Sequence, residues 1–143
     1  MERINTSELD ERVKYREETR DTNFCTVLAL HCVTGVSMKD CNTYLGKFGR
    51  VFKKGMLINQ IEEALSSTSK FFFKKGEYSN VNRITLKRFT EKHPEGRYYI
   101  LVRGHALSVI DGVVYDYEDK PRRQVTRAWR CYTKEEVEAL RKR

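Results

Sequence analysis

Gly104-His105-Ala106-Leu107-Ser108-Val109-Ile110-Asp111-Gly112-Val113-Val114-Tyr115-Asp116 is the stretch on which the fold turns. Two runs rich in β-branched and aromatic residues flank an Asp-Gly pair, the strongest short signal for a two-residue type I′ hairpin. That turn sets the register. Ile110 pairs with Val113 and Val109 with Val114, and the continuation puts Leu107 opposite Asp116 and His105 opposite Glu118. Residues 105, 107 and 109 then share a face with 114, 116 and 118. His105 and Asp116 become diagonal neighbours, with backbones roughly 7 to 8 Å apart, a gap that polar side chains bridge.

Outward from the hairpin, strands are expected at Tyr98–Val102, His105–Ile110, Val113–Tyr117 and Arg127–Tyr132, a meandering antiparallel sheet, with a short strand at Phe71–Phe73. Helices come mostly before the sheet. Thr85 to Lys92 is an exception, closed by His93-Pro94 and Gly96, and Glu135 to Arg143 forms a last helix. Met56 to Leu65 carries Leu57, Ile61, Ala64 and Leu65 at helical spacing, and Ser37 with Asp40 three positions on starts a helix that ends near Gly46. The segment Cys25 to Val33 is apolar on most sides, is preceded by the N-cap types Asp21, Thr22 and Asn23, and stops at Gly35. Such a helix belongs in the middle of a domain rather than on its surface. Residues 1–20, dense in alternating charge, read as a charged arm or helix, and 21–143 as a single domain of α+β class.

A carboxylate behind a histidine is half of a nucleophilic constellation, because the acid fixes the ring tautomer and stabilises the imidazolium. Cys25 supplies the other half. At the head of a buried helix, the helix dipole and a nearby imidazolium favour the thiolate, and the backbone N–H of Cys25 can donate to a developing oxyanion. Cys32, seven residues later, has no charged neighbour predicted and reads as core. His31 reads as packing or surface, and His93 as a helix terminus. The candidate catalytic set is therefore Cys25, His105 and Asp116.

A cysteine opening a central helix, with a Gly-His pair much later that begins a β-hairpin whose return strand ends in Asp, resembles the papain-like cysteine peptidase superfamily. The likeness rests on Asn23-Phe24-Cys25-Thr26-Val27-Leu28-Ala29-Leu30 and on Gly104 to Asp116, and is nearest to its small members and related phage-encoded hydrolases. It implies a nucleophile helix packed on an antiparallel sheet and a cytoplasmic thiol hydrolase cleaving an amide or isopeptide bond of a protein or peptide, without metal or other cofactor. Such peptidases carry a Gln a few residues ahead of the nucleophile. Here Lys14 to Arg20 contains neither Gln nor Asn, which leaves Asn23 as the nearest amide for the oxyanion. The alternative is a papain-fold binding protein that has lost the reaction and holds an acidic protein or nucleic acid on a basic surface.

The chain of 143 residues carries 28 Lys plus Arg against 20 Asp plus Glu, a net charge of +8. At 39% hydrophobic and 11% aromatic, with 2 Pro and 8 Gly, it has the makings of one core and not of a disordered chain. No apolar run approaches a membrane span, and Met1 to Thr22 lacks a secretory signal, so a reducing cytoplasm and free thiols are expected. None of the four cysteines forms a Cys-x-x-Cys pair, which disfavours zinc. Basic residues such as Lys53-Lys54, Lys74-Lys75 and Arg122-Arg123 are spread along the chain without a nucleic-acid motif. An acidic protein partner is favoured over nucleic acid.

Overall fold

The computed structural model describes residues 1–142. In chain order the elements are β1 (Arg3–Ile4), a 3-10 turn (Thr6–Glu8), α1 (Asp10–Thr19), α2 (Cys25–Thr34), α3 (Met38–Gly46), α4 (Ile58–Ser67), β2 (Phe71–Lys75), β3 (Ile84–Thr85), α5 (Leu86–Lys92), β4 (Arg97–Val102), β5 (His105–Ile110), β6 (Val113–Tyr115), β7 (Gln124–Thr133) and α6 (Lys134–Arg141). The class is α+β, with a mixed sheet of order β1-β6-β5-β4-β7-β2 and β3 also pairing with β7.

The sheet separates two cores. Alternation along β4 sends Tyr99 and Leu101 to one face and Tyr98, Ile100 and Val102 to the other. On the first face lie α2, α3 and α4, whose Val27, Leu30, Val33, Met38, Leu45 and Leu65 are almost wholly buried. On the second, Leu86 and Phe89 of α5 close over Leu107, Val109 and Val114. α2 is the central helix its composition predicts. It stops at Gly35, whose φ of 77° lets its N–H reach the carbonyl of His31 at 2.8 Å. The Tyr99 hydroxyl, fully buried, donates to the Thr26 carbonyl at 3.1 Å and ties this helix to β4.

The Asp111-Gly112 turn has φ of 49° and 78°, both positive as a type I′ turn requires, and Val109–Val114 and Ile110–Val113 are paired as expected. The sheet departs from a simple meander in one respect. β4, β5 and β6 follow one another, but β7 returns to pair with β4 and not with β6, which leaves the outer edge of β6 to β1. β1 runs parallel to β6 and makes the sheet mixed. Two residues of a charged N-terminal segment carry no strand signal; what holds them is the free edge that β6 offers. β6 is also shorter than read. It ends at Tyr115 opposite Ser108, so the Leu107–Asp116 and His105–Glu118 pairs do not form.

The helix at Met56 to Leu65 starts later, at Ile58, and β7 is longer than Arg127–Tyr132. Thr85 caps α5 and Thr133 caps α6, each accepting the backbone N–H three residues on. Residues 1–20, read as an arm or helix, contain α1 and donate β1 to the sheet, with Tyr15 buried. Among the described residues, no helix is long and apolar enough to cross a membrane.

Candidate active site

Cys25 is the first residue of α2, and its helix start is unusual. Phe24 occupies the N-cap position and no side chain caps the helix, although Asp21, Thr22 and Asn23 would each have suited the role. Asp21 is engaged elsewhere. It is fully buried and its Oδ2 accepts from Arg50 Nη2 at 2.6 Å and from the Tyr15 hydroxyl at 2.8 Å, while Oδ1 accepts the backbone N–H of Asn23 at 3.2 Å. Arg50 also donates to the Asn23 carbonyl at 2.9 Å and to Asn42. The loop before Cys25 is thus clamped by a buried ion pair, and the first N–H groups of α2 stay unclaimed by a capping side chain. Those groups point where a thiolate or an oxyanion gains from them. The backbone N–H groups of Thr26 and Ala106 act on the Cys25 thiol in this sense, favouring its charged form.

His105 opens β5, and its Nε2 lies 2.9 Å from Asp116 Oδ1. A carboxylate only accepts, so Nε2 carries the proton and Nδ1 is the ring nitrogen left free. The neighbouring Cys25 thiol and this ring shift each other's protonation, the thiol downward and the imidazole upward. The side chains of His105 and Asp116 are 7% and 5% exposed, a pair held largely out of water. Asp116 is positioned from three sides. Oδ1 also accepts the N–H of Tyr117 at 2.8 Å, the Asp116 N–H donates to the Ile4 carbonyl at 3.2 Å, and Arg3 Nη1 donates to the Asp116 carbonyl at 3.1 Å. So β1, absent from the sequence reading, holds the backbone that carries the carboxylate. The ring of Tyr117 stands edge-on to His105, with centroids 5.5 Å apart.

The four thiols divide by environment. Burial alone raises a thiol pKa, and it pushes Cys32 to about 11 and Cys41 and Cys131 to about 12. Burial also acts on Cys25, but the hydrogen bond and charge of His105 and the two backbone N–H groups outweigh it and lower the thiol below its ordinary value. His105 moves the opposite way. Burial disfavours its charge, yet the bonds to Asp116 and Cys25 raise it to about 9. A lowered thiol beside a raised imidazole favours the thiolate–imidazolium form of the pair, whose titration belongs to both groups.

Two clefts meet at this pair. One of about 180 Å³ lies toward α1 and is walled by Arg12, Phe24 and Tyr117; the other, of about 470 Å³, lies toward α4 and is walled by Met56, Ile58, Arg83 and Arg103. Cys25, His105 and Asn23 border both. Asn23 is exposed at the rim with its side-chain amide free of intramolecular partners among the described residues. His31 Nδ1 contacts the Val36 carbonyl at 2.6 Å and His93 Nε2 the Tyr78 hydroxyl at 2.7 Å, both away from the thiol. No group of three or more His, Cys, Asp or Glu among the described residues is placed to hold a metal ion.

The sequence reading missed Arg50, Tyr15 and Arg3, which touch no reacting atom and hold those that would. Nothing in the local pattern around Gly49-Arg50-Val51 marks a buried arginine. No protein-family model matches this chain, and neither a curated protein nor a solved structure matches it.

Proposed function

We propose that this protein is a thiol hydrolase of papain-like arrangement, acting on an amide or isopeptide bond through Cys25, His105 and Asp116. What carries the reading is the His105 Nε2–Asp116 Oδ1 contact at 2.9 Å beside Cys25, with Cys25 and His105 lining the same two clefts and the imidazole favouring the thiolate. The Cys25 thiolate attacks the carbonyl carbon. The C–O double bond opens to an oxyanion, to which the Cys25 N–H at the uncapped start of α2 donates, with the Asn23 amide within the same cleft. Collapse breaks the C–N bond as the imidazolium passes its Nδ1 proton to the leaving amine. Water then adds to the thioester, His105 takes its proton, and the C–S bond breaks to release the acid and restore the thiolate. Asp116 keeps the ring in the tautomer both steps need and stabilises its positive charge.

The test is selective alkylation. Treated with iodoacetamide at pH 7, Cys25 is expected to label at least tenfold faster than Cys32, Cys41 and Cys131, and to lose that advantage in His105→Ala. Equal, slow labelling of all four thiols overturns the reading. A second reading, a binding protein without turnover, draws on the lack of Gln or Asn in Lys14 to Arg20. It is favoured if Cys25 labels fast while peptides that protect it are recovered uncleaved.

A further inference from the structure

Arg12, on α1, lines the smaller cleft together with Cys25 and His105. Its guanidinium lies 5.2 Å from the centroid of Phe24, the residue before the nucleophile. Its Nε is buried with no hydrogen-bond partner, and none of its nitrogens is in an ion pair or hydrogen bond among the described residues. Arg50 also has a buried free Nε, but its other nitrogens are bound to Asp21, Asn42 and Asn23. Arg12 is therefore a cation partly withdrawn from water whose charge meets the Phe24 ring but no carboxylate among the described residues, so an anion entering the cleft is favoured. Its neighbours worsen its position: burial first, then the charge of Arg16, disfavour the protonated guanidinium.

The opposite cleft repeats the sign. Arg83 and Arg103 line it; Arg83 bonds only to the neutral Asn80 carbonyl and Gln124 amide, and neither arginine meets a carboxylate. The only Asp or Glu lining either cleft is Asp116, whose Oδ1 is committed to His105 and the Tyr117 N–H. Met56, Ile58 and Leu101 line the same larger cleft, apolar walls that suit side chains rather than a sugar–phosphate backbone.

Resting on the thiol-hydrolase reading above, we infer that the substrate is an acidic polypeptide, with an Asp or Glu carboxylate seated on Arg12 in the smaller cleft beside the scissile bond. Guanidinium recognises carboxylate through paired N–H donors, and the partial exclusion of water strengthens that contact. Carboxylates on the other side of the bond meet Arg83 and Arg103. Selectivity thus comes from cations that the fold leaves unpaired on both flanks of the nucleophile.

Two alkylators of the same size test this without a known substrate. The ratio of Cys25 labelling rates by iodoacetate and by iodoacetamide reads the anion preference of the cleft and divides out changes in the thiol itself. Arg12→Gln is expected to lower that ratio about 5-fold, the effect of one unit charge at about 4 Å across a water-like medium, and Arg12→Lys to keep most of it. In the unmodified protein, an octapeptide pool rich in Glu is expected to protect Cys25 from iodoacetamide, and the Gln-matched pool to protect it far less. A fast-labelling Cys25 with an unchanged ratio in Arg12→Gln, or equal protection by both pools, overturns the acidic preference and leaves the hydrolase reading standing. Slow labelling of Cys25 in the unmodified protein overturns both. Protection by an oligothymidylate and not by the Glu pool overturns the peptide assignment in favour of nucleic acid.

Discussion

Asp21 and Asp116 are both buried carboxylates paired with a cationic or cation-forming side chain, and they do opposite things. Asp21 meets Arg50 at 2.6 Å with the two side chains 0% and 1% exposed, and Tyr15 and the Asn23 N–H complete its contacts. Asp116 meets His105 at 2.9 Å at the floor of an open cleft. A guanidinium stays charged at any ordinary pH, whereas an imidazole gains and loses its proton where proteins work. The first pair therefore fixes geometry and the second can take part in chemistry. They bracket the same few residues: Asp21 anchors the loop that delivers Cys25, and Asp116 anchors the ring that faces it. The fold places a permanent ion pair next to a titratable one, so the nucleophile keeps its position whatever the charge state of the imidazole.

Breaking the structural pair gives the largest expected effect. Asp21→Ala strands Arg50 in a dry environment and should cost about 3 to 5 kcal/mol of stability, measured by urea denaturation. Asp21→Leu combined with Arg50→Met should recover most of that loss, because both desolvation penalties go together. If the double variant is as unstable as the sum of the single ones, the pair is not acting as a unit. The titratable pair behaves differently. His105→Ala removes the side chain that does most to lower the Cys25 thiol and should slow iodoacetamide labelling at pH 7 about 30-fold, while the urea midpoint moves far less than in Asp21→Ala. A loss of stability as large as that of Asp21→Ala would make His105 a structural residue.

The same contrast explains what the sequence could announce. The His105–Asp116 side was legible because a two-residue Asp-Gly turn sets the register of β5 and β6 as far as Ser108–Tyr115, and Asp116, one residue past the end of β6, still reaches His105 although the ladder has stopped. Cys25 was legible because a helix that is apolar on most sides must be central, and its first residue sits where composition changes abruptly. The Asp21–Arg50 side was not, since the two residues are 29 positions apart with α2 and α3 between them, and each sits in a loop, one before α2 and one after α3, where no periodicity fixes a side chain. Local propensity even pointed the wrong way: Asp21, Thr22 and Asn23 are good caps, and tertiary pairing took Asp21 for another purpose. β1 escaped for the same reason. Arg3 and Ile4 become a strand only because β7 crosses to β4 and leaves the edge of β6 free.

Asp116→Asn sharpens the comparison from the titratable side. Burial works against the charged ring, and the bond to Asp116 is the first of the contacts that lift His105 to about 9. With an amide in its place that support is lost, so the ring titrates at lower pH, and thiol labelling at pH 7 should fall about 10-fold as the imidazolium is depleted. The sign for stability follows from the raised value. The imidazolium contributes fully below the unfolded pKa of about 6.5, and that contribution disappears as pH rises through about 9. The urea midpoint should therefore decline more steeply between pH 6.5 and 9 in the wild type than in Asp116→Asn, and the ring nitrogen resonances of His105 should titrate near 9 only in the wild type. Parallel slopes for the two proteins would detach Asp116 from the charge of the ring.

Tyr15→Phe is the mildest change and the most discriminating one. It removes the hydroxyl that donates to Asp21 Oδ2 at 2.8 Å while leaving the ring packed edge-on against Phe24 at 5.3 Å. Asp21 keeps Arg50 and the Asn23 N–H, so the cost should be about 1 kcal/mol. If the clamp serves only to hold the loop before α2, Cys25 should label at the wild-type rate, because neither the ring of His105 nor the N–H groups of Thr26 and Ala106 have moved. A labelling rate that falls together with stability would mean that the hydroxyl tunes the position of the sulfur as well. The two anchors would then be one mechanical system running from Tyr15 through Asp21 and the loop at Asn23 to the nucleophile.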